Sequence, residues 1–433
     1  MDNTKTGNYR WVICALLFFA TTINYVDRQI LGYLKPTLEV EFNWTESDYA
    51  NIVTIFAACY AFGYIIFGNF IDKIGSKLGY SVSIIIWSVA AIAHAFVKST
   101  FGFGAARAVL GLGEAGNFPA AVKAVAEWFP KKERALATGI FNSGTSIGAV
   151  AAPILVPWLL GAYGWQEAFI ITGALGFIWL IFWWFLYEIP SRQKRLSAAE
   201  FEYIHSDNEA DTSATDKPIK WASLLKLKQT WVFIIGKFLT DPIWWFFLFW
   251  LPSYFATTFS LDLKKPSIHL VVVYTATTFG SIGGGYLSSY LIRKGWAPLR
   301  ARKVALLIVA FAVLPIMLAQ YATNVWVAVG IISVAAAAHQ AWSSNIFTIV
   351  SDLFPKRAVS SVVGMGGFVG SMGSTLFPLL VGALLDYYKA AGNIGAGYNI
   401  LFIICGCTYF IAWTCIHFLT KKMTSVEEAL RDL

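Results

Sequence analysis

Twelve predominantly apolar runs recur along the whole chain, at 11–33, 48–71, 80–97, 101–126, 135–159, 164–187, 230–256, 268–292, 303–321, 324–351, 358–385 and 398–419. No other feature restricts the fold as severely. A helix needs about 20 apolar residues to cross the hydrocarbon of a bilayer. Inside lipid every backbone donor and acceptor must be bonded within the chain, so only helices or a closed barrel can span. These runs are about twice the length of a barrel strand and lack its alternation. The pattern predicts an all-α membrane protein with twelve transmembrane helices. Composition agrees, with 57% hydrophobic and only 13% charged residues, about half the ~25% of soluble domains. A soluble enzyme, a secreted disulfide scaffold and a disordered chain are excluded. The first run follows Arg10, as in a signal peptide, but no small-x-small cleavage site follows it. An uncleaved first helix is expected.

The net charge of +8 suggests nucleic acid only until the basic residues are placed. Of 33 Lys and Arg, 24 fall in the termini and the loops on their side, 5 in the opposite loops, and 4 (Arg28, Arg107, Lys123, Lys237) within runs. The positive-inside rule then predicts cytoplasmic termini in the cell inner (plasma) membrane, with no nucleic-acid partner. A polar stretch separates run 6 from run 7. It divides the chain into a first six-helix half (1–187), a cytoplasmic linker (188–229) and a second six-helix half with a short tail (230–433). Within the linker, Ser197-Ala-Ala-Glu200 reads as a capping box, and 207–220 reads as a polar, mobile segment. Cys14, Cys59, Cys405, Cys407 and Cys415 lie in apolar runs with no CxxC spacing. They predict neither disulfides nor a metal site. Asn43-Trp44-Thr45 matches a glycosylation acceptor by a three-residue string alone.

The two halves repeat each other. Glu127-Trp-Phe-Pro130-Lys-Lys132 returns as Asp352-Leu-Phe-Pro355-Lys-Arg357, an offset of 225 that also maps Gly139, Ser146, Gly148 and Pro153 onto Gly364, Ser371, Gly373 and Pro378. Six helices is an even number, so the two copies run in the same direction and the repeat is parallel. The offset also maps Glu114 onto His339, which predicts that the two face one another across a central cavity.

Ionisable residues within spans are costly, about 2.5–3.5 kcal/mol each, and ask for a reason. Run 1 carries Asn24, Asp27 and Arg28, and run 4 carries Arg107 and Glu114. Run 7 carries Lys237 and Asp241 before Pro242, and run 10 carries His339, Gln340, Trp342 and Asn345. Lys237 and Asp241 read equally as a structural i,i+4 pair. Arg107 reads also as a helix-end residue, and His339 as a satisfied core histidine. Asp27 and Arg28 are adjacent and point about 100° apart, so they do not neutralise each other. Glu114 has no basic residue at i±3 or i±4, a setting that suits a carboxyl loading and releasing a proton. Gly144-Thr-Ser146-Ile-Gly148 spells the hydrolase string GxSxG, but inside a span rather than a strand-turn-helix. No HExxH or GxxxxGK[ST] is present. An enzyme is therefore not expected.

Gly68-Asn-Phe-Ile-Asp72-Lys-Ile-Gly75-Ser-Lys77 resembles the G-x3-D-x2-G-x-[KR] loop of major facilitator transporters, whose parallel halves match the repeat. In such a loop Asp72 caps a neighbouring helix and latches the cytoplasmic side, with Gly68, Gly75 and Lys77 completing the motif. Gly285 and Lys294 match Gly68 and Lys77 in the second half, with Ser289 in place of Asp72. Asn24-Tyr-Val-Asp27-Arg28, Arg107…Gly113-Glu114-Ala115 and Glu127-Trp-Phe-Pro130 resemble the anion:cation symporter family. Leu239-Thr-Asp241-Pro-Ile-Trp244-Trp245 and Ala338-His339-Gln340-Ala-Trp342-Ser343 are similar to its hexuronate (glucuronate/galacturonate) branch.

The resemblance implies a major facilitator fold and import of a hexuronate with protons by alternating access. It implies proton coupling at Asp27 and Glu114, carboxylate binding at Arg28, coupling or gating at Arg107, and sugar contacts at Tyr60 and Asn345. From their chemistry, Trp244, Trp245 or Trp342 can stack on a sugar face, and Asn24, Asn142, Gln340 and His339 can bond its hydroxyls. The expected partners are the sugar acid, protons and lipid, in a monomer with no metal and no cofactor beyond the proton gradient. An aldonate, glucarate or phthalate transporter and a non-transporting sensor of sugar acids are the alternatives.

Overall fold

The computed structural model describes residues 7–44, 46–207, 219–260, 268–421 and 426–431. Among these residues it is helical, with no strand. The first half contains α1 (Tyr9–Phe42), α2 (Glu46–Ile74), α3 (Ser76–Ala93), α4 (Thr100–Glu114), α5 (Asn117–Trp128), α6 (Lys131–Ala162) and α7 (Trp165–Leu186). Two short helices follow, α8 (Ala198–Ile204) and α9 (Trp221–Lys226). The second half contains α10 (Lys228–Phe249), α11 (Leu251–Phe259), α12 (Ile268–Arg293), α13 (Pro298–Val313), α14 (Val325–Leu353), α15 (Lys356–Ala390), α16 (Ile394–Leu419) and a terminal α17 (Val426–Arg431).

Among the described residues, ten helical segments are long and apolar enough to cross a membrane alone, and α6, bent by 42° at residue 153, makes an eleventh. Over the run at 101–126 the helix is interrupted once. Here α4 and α5, of 15 and 12 residues, meet at Ala115 and Gly116. The Ser83 hydroxyl of α3 donates to the Gly113 carbonyl at 2.7 Å, and the Gly116 N–H closes a tighter turn onto the same carbonyl at 3.2 Å. Ala115 and Gly116 keep right-handed helical angles, so the path resumes as α5. Large apolar side chains such as Phe101, Phe185 and Phe279 point outward, 71–87% exposed, as lipid-facing residues should.

The internal repeat is visible in the backbone. α5 and α14 end, and α6 and α15 begin, at the same 225-residue offset. Pro130 and Pro355 precede α6 and α15 with nearly the same angles, φ −65°, ψ 153° and φ −62°, ψ 148°. Close crossings recur too. A side chain on Gly139 of α6 would collide with the Ser281 carbonyl of α12, and one on Gly364 of α15 with the Tyr64 carbonyl of α2. Gly285 meets Ala135, and Gly68 meets Ser360, in the same paired fashion. Only glycine permits this approach.

These crossings join the halves, and among the described residues polar contacts between the halves occur at mid-depth and at the basic end. Asp72 bonds Lys123 (2.9 Å) and reaches across to the backbone N–H of Ser361 (2.6 Å) and Ser360 (3.3 Å) in α15. Arg134 donates to the Ser351 carbonyl (2.6 Å), and Arg302, paired with Asp352 (3.0 Å), donates to the Lys131 carbonyl (2.8 Å). Lys77 instead pairs with Glu188 at the start of the linker (3.1 Å), while Gly75 turns the chain into α3 with φ +88°. Ser289 is buried and its hydroxyl has no partner, so the second half lacks the Asp72 contact.

In the linker, Ser197 caps α8 by accepting from the Glu200 N–H at 3.2 Å. Glu200 does not return the bond as a capping box would. Its carboxylate takes the backbone N–H groups of Tyr9 (3.0 Å) and Arg10 (3.1 Å) and the Arg10 guanidinium (3.0 Å). This ties the linker to the start of α1. Most of 207–220 and Thr45 of the glycosylation string lie outside the described residues.

Candidate functional site

A polar cavity of about 70 Å³, room for several waters, lies between the halves at mid-depth. The first half lines it with Tyr25 and Arg28 of α1, Tyr60 and Tyr64 of α2, Phe118 of α5, and Asn142 and Thr145 of α6. The second half adds Lys237, Asp241, Trp244 and Trp245 of α10, His339, Gln340, Ser343 and Phe347 of α14, and Ser371 and Ser374 of α15. A larger hollow of about 230 Å³ at the basic end is lined mainly by apolar side chains around the Arg302–Asp352 pair. Arg302 and Asp352 are bonded to protein there, so the chemistry belongs to the polar cavity.

Arg28 dominates the first wall. Its Nε donates to Glu114 Oε2 at 2.8 Å and one Nη to Asn24 Oδ1 at 3.2 Å. The guanidinium stands 4.6 Å from the Tyr25 ring centre and 4.4 Å from that of Tyr60. Cation–π contact of this kind holds a charge without neutralising it. The other Nη makes no protein hydrogen bond and remains for a ligand. Adjacent Asp27 is fully buried, and neither of its oxygens has a partner. The approaching Thr172 hydroxyl bonds the Phe169 carbonyl instead, at 3.4 Å. Arg107, also buried, donates to the Arg28 carbonyl at 3.4 Å, leaving its Nε unpartnered. One α1 turn thus carries a paired cation towards the cavity and an unpaired acid behind it.

On the second wall Pro242 interrupts the α10 ladder, since it has no N–H to give. Beside it Lys237 and Asp241 pair at 2.8 Å. Trp244 stacks on His339, rings 5.3 Å apart and 4° from parallel, and the His339 Nδ1 meets the Tyr409 hydroxyl at 2.5 Å. Asn142 donates to Gln340 (2.8 Å) and Ser281 (3.0 Å), closing the cavity floor between the halves. Ser146 bonds Thr277 at 2.6 Å, which accounts for the GxSxG serine as a contact between helices.

The structure brings Arg28, Tyr60, Asn142, Trp244, Trp245, His339 and Gln340 to one cavity. It keeps others away. Asn24 and Arg107 brace Arg28 from behind, Asp27 and Glu114 lie outside the lining, and Trp342 is buried against Tyr409. Asn345 spends its amide on the Gly284 and Ala341 carbonyls, both at 2.9 Å, and packs α14 on α12. The expected opposition of Glu114 and His339 is corrected. Each is held within its own half, by Arg28 and by Tyr409 with Trp244, because a buried polar group pairs with the donor its own packing supplies. Sequence reasoning missed Tyr25, Tyr64, Phe118, Thr145, Phe347, Ser371 and Ser374. Tyr25 carried a signal, since it adjoins the Asp27-Arg28 pair and a ring beside a cation is a recurring arrangement.

A family profile described as Major Facilitator Superfamily matches residues 17–378. The hexuronate transporter of Escherichia coli K12 is 35% identical over 385 residues, covering 88% of this chain and 89% of that protein. The galacturonate transporter of Dickeya chrysanthemi is 35% identical over 284 residues, 65% of this chain and 82% of its own. Among solved structures, a bacterial homologue of the human lysosomal transporter Spinster, inward-facing and unoccupied, superposes with TM-score 0.60 at 18% identity, over 96% of this chain and 98% of that one.

Proposed function

The chain belongs to the Major Facilitator Superfamily, a multi-pass membrane transporter and not an enzyme, and from that premise we propose that it imports hexuronates such as galacturonate and glucuronate by proton symport. The observation that carries this reading is Arg28: a cation bound to Glu114 at 2.8 Å, yet with an open Nη on a cavity lined by tyrosines, tryptophans and amides. A guanidinium suits a carboxylate, aromatic faces suit a sugar ring, and amides suit hydroxyls.

In this reading the carboxylate of the sugar acid competes with Glu114 for Arg28. The freed Glu114 takes a proton, so the loaded site stays close to neutral. Asp27 serves as a second proton carrier, because it can be protonated or deprotonated without breaking any structural bond. With its buried charge balanced, the loaded protein rocks between states, driven by the proton gradient alone. It works as a monomer in the inner membrane with its basic end towards the cytoplasm.

The test is transport in proteoliposomes. Glu114→Gln should retain exchange of galacturonate for galacturonate while losing accumulation driven by a pH gradient. Loss of both to the same degree sinks the coupling role.

A further inference from the structure

The α10 wall of the cavity carries a charge pair that the transport reading leaves idle. Lys237 and Asp241 sit one turn apart, are bonded at 2.8 Å, and both line the cavity, with the Asp241 side chain 21% exposed. Both have bonding capacity to spare. Lys237 uses one of three donors and otherwise rests over the Phe347 ring at 4.5 Å. Asp241 bonds through Oδ1 only. Its Oδ2 occupies the space left by Gly370, where any side chain would collide with it. The opposite wall is matched in charge, with Arg28 paired to Glu114 at 2.8 Å. Both walls face the same cavity of about 70 Å³. A sugar acid held in that cavity lies between Arg28 and the Lys237–Asp241 pair.

Resting on the hexuronate reading above, we propose that the Lys237–Asp241 pair makes the site selective for sugar acids with a single carboxylate. Arg28 takes that carboxylate, and Asp241 accepts hydroxyl hydrogens from the other end of the sugar, an acceptor-only role that an ionised carboxylate fills. A second carboxylate at that end meets the charge of Asp241 in a confined, poorly solvated space and is rejected. Lys237 holds Asp241 in place and keeps the wall neutral. Removing the acid unmasks Lys237, leaving a free cation where a second carboxylate would bind.

The experiment measures inhibition of labelled galacturonate exchange in proteoliposomes by unlabelled galacturonate and by galactarate, which carries a carboxylate at each end. Wild-type protein should be inhibited far more weakly by galactarate. In Asp241→Asn the galactarate-to-galacturonate ratio of half-inhibiting concentrations should fall tenfold or more. Lys237→Met, which leaves Asp241 unbalanced, should raise the ratio, and Lys237→Met/Asp241→Asn should bring it below that of Lys237→Met. A pair that only packs helices would change yield and leave the ratio alone. Ratios within threefold of wild type in all three variants overturn the proposal while the transport reading stands. A wild-type protein that exchanges no galacturonate overturns both.

Discussion

At the level of single residues, the site is organised by what each buried charge lacks. Arg28 has a carboxylate, an amide and two aromatic faces, yet one Nη stays open to the cavity. Asp27, its neighbour in the chain, makes no side-chain hydrogen bond. Arg28→Lys keeps the charge and gives up the planar fork. Losing one charge-assisted hydrogen bond costs about 1.5–3 kcal/mol, so galacturonate affinity should fall about tenfold to a hundredfold. Isothermal titration of the purified variant checks this, and unchanged affinity would remove Arg28 from the site. Asp27, Arg28 and Glu114 were legible in the sequence as candidates, because ionisable residues in spans are rare enough to count. Their arrangement was not. Whether Glu114 meets Arg28 or His339 depends on how α1 and α4 are rotated, which spacing along one helix does not contain.

At the level of helices, one acid supports much of the seam between α2 and α15. Asp72 is fully buried at its side chain, holds Lys123, and takes two backbone N–H groups from the early turns of α15. Acids are favourable there, near a helix N-terminus. Asp72→Ala strands Lys123 as an uncompensated buried cation, at a cost of about 3–5 kcal/mol. Adding Lys123→Met should recover more than half of it. Thermal unfolding of the two single variants and the double variant measures the coupling, and strictly additive losses would show that the pair does not act as a unit. The G-x3-D-x2-G-x-K string announced this corner of the fold. The asymmetry did not show its consequence in sequence: Ser289 replaces the acid, and the polar bracing on that side comes from Arg302, Asp352 and Arg134 instead. Likewise, where run 4 divides into α4 and α5, a hydroxyl on α3 bonds a carbonyl, a contact between residues 30 positions apart in the chain.

For the molecule as a whole, the cross-half contacts of Asp72, Arg134 and Arg302 hold the two halves together at the basic end. A cysteine at position 351, in a variant freed of the native cysteines, should test it. Ser351 is 2% exposed and lies beneath Arg134, and its cross-half bond uses only the backbone carbonyl, so Ser351→Cys leaves that bond in place. Labelling by a membrane-permeant maleimide should be slow without substrate and about tenfold faster during exchange of galacturonate, as the basic end opens in each cycle. Rapid labelling without substrate would mean that the open-ended state predominates at rest. Residence in lipid, the helical class, the parallel repeat and the short roster of buried charges could all be read from the order of residues. Those follow from the cost of polar groups in hydrocarbon, which each residue incurs wherever its helix packs. Which charges meet and which polar groups line the cavity became visible in the folded bundle alone. Those depend on the rotation and approach of helices distant in the chain, set by packing over the whole bundle.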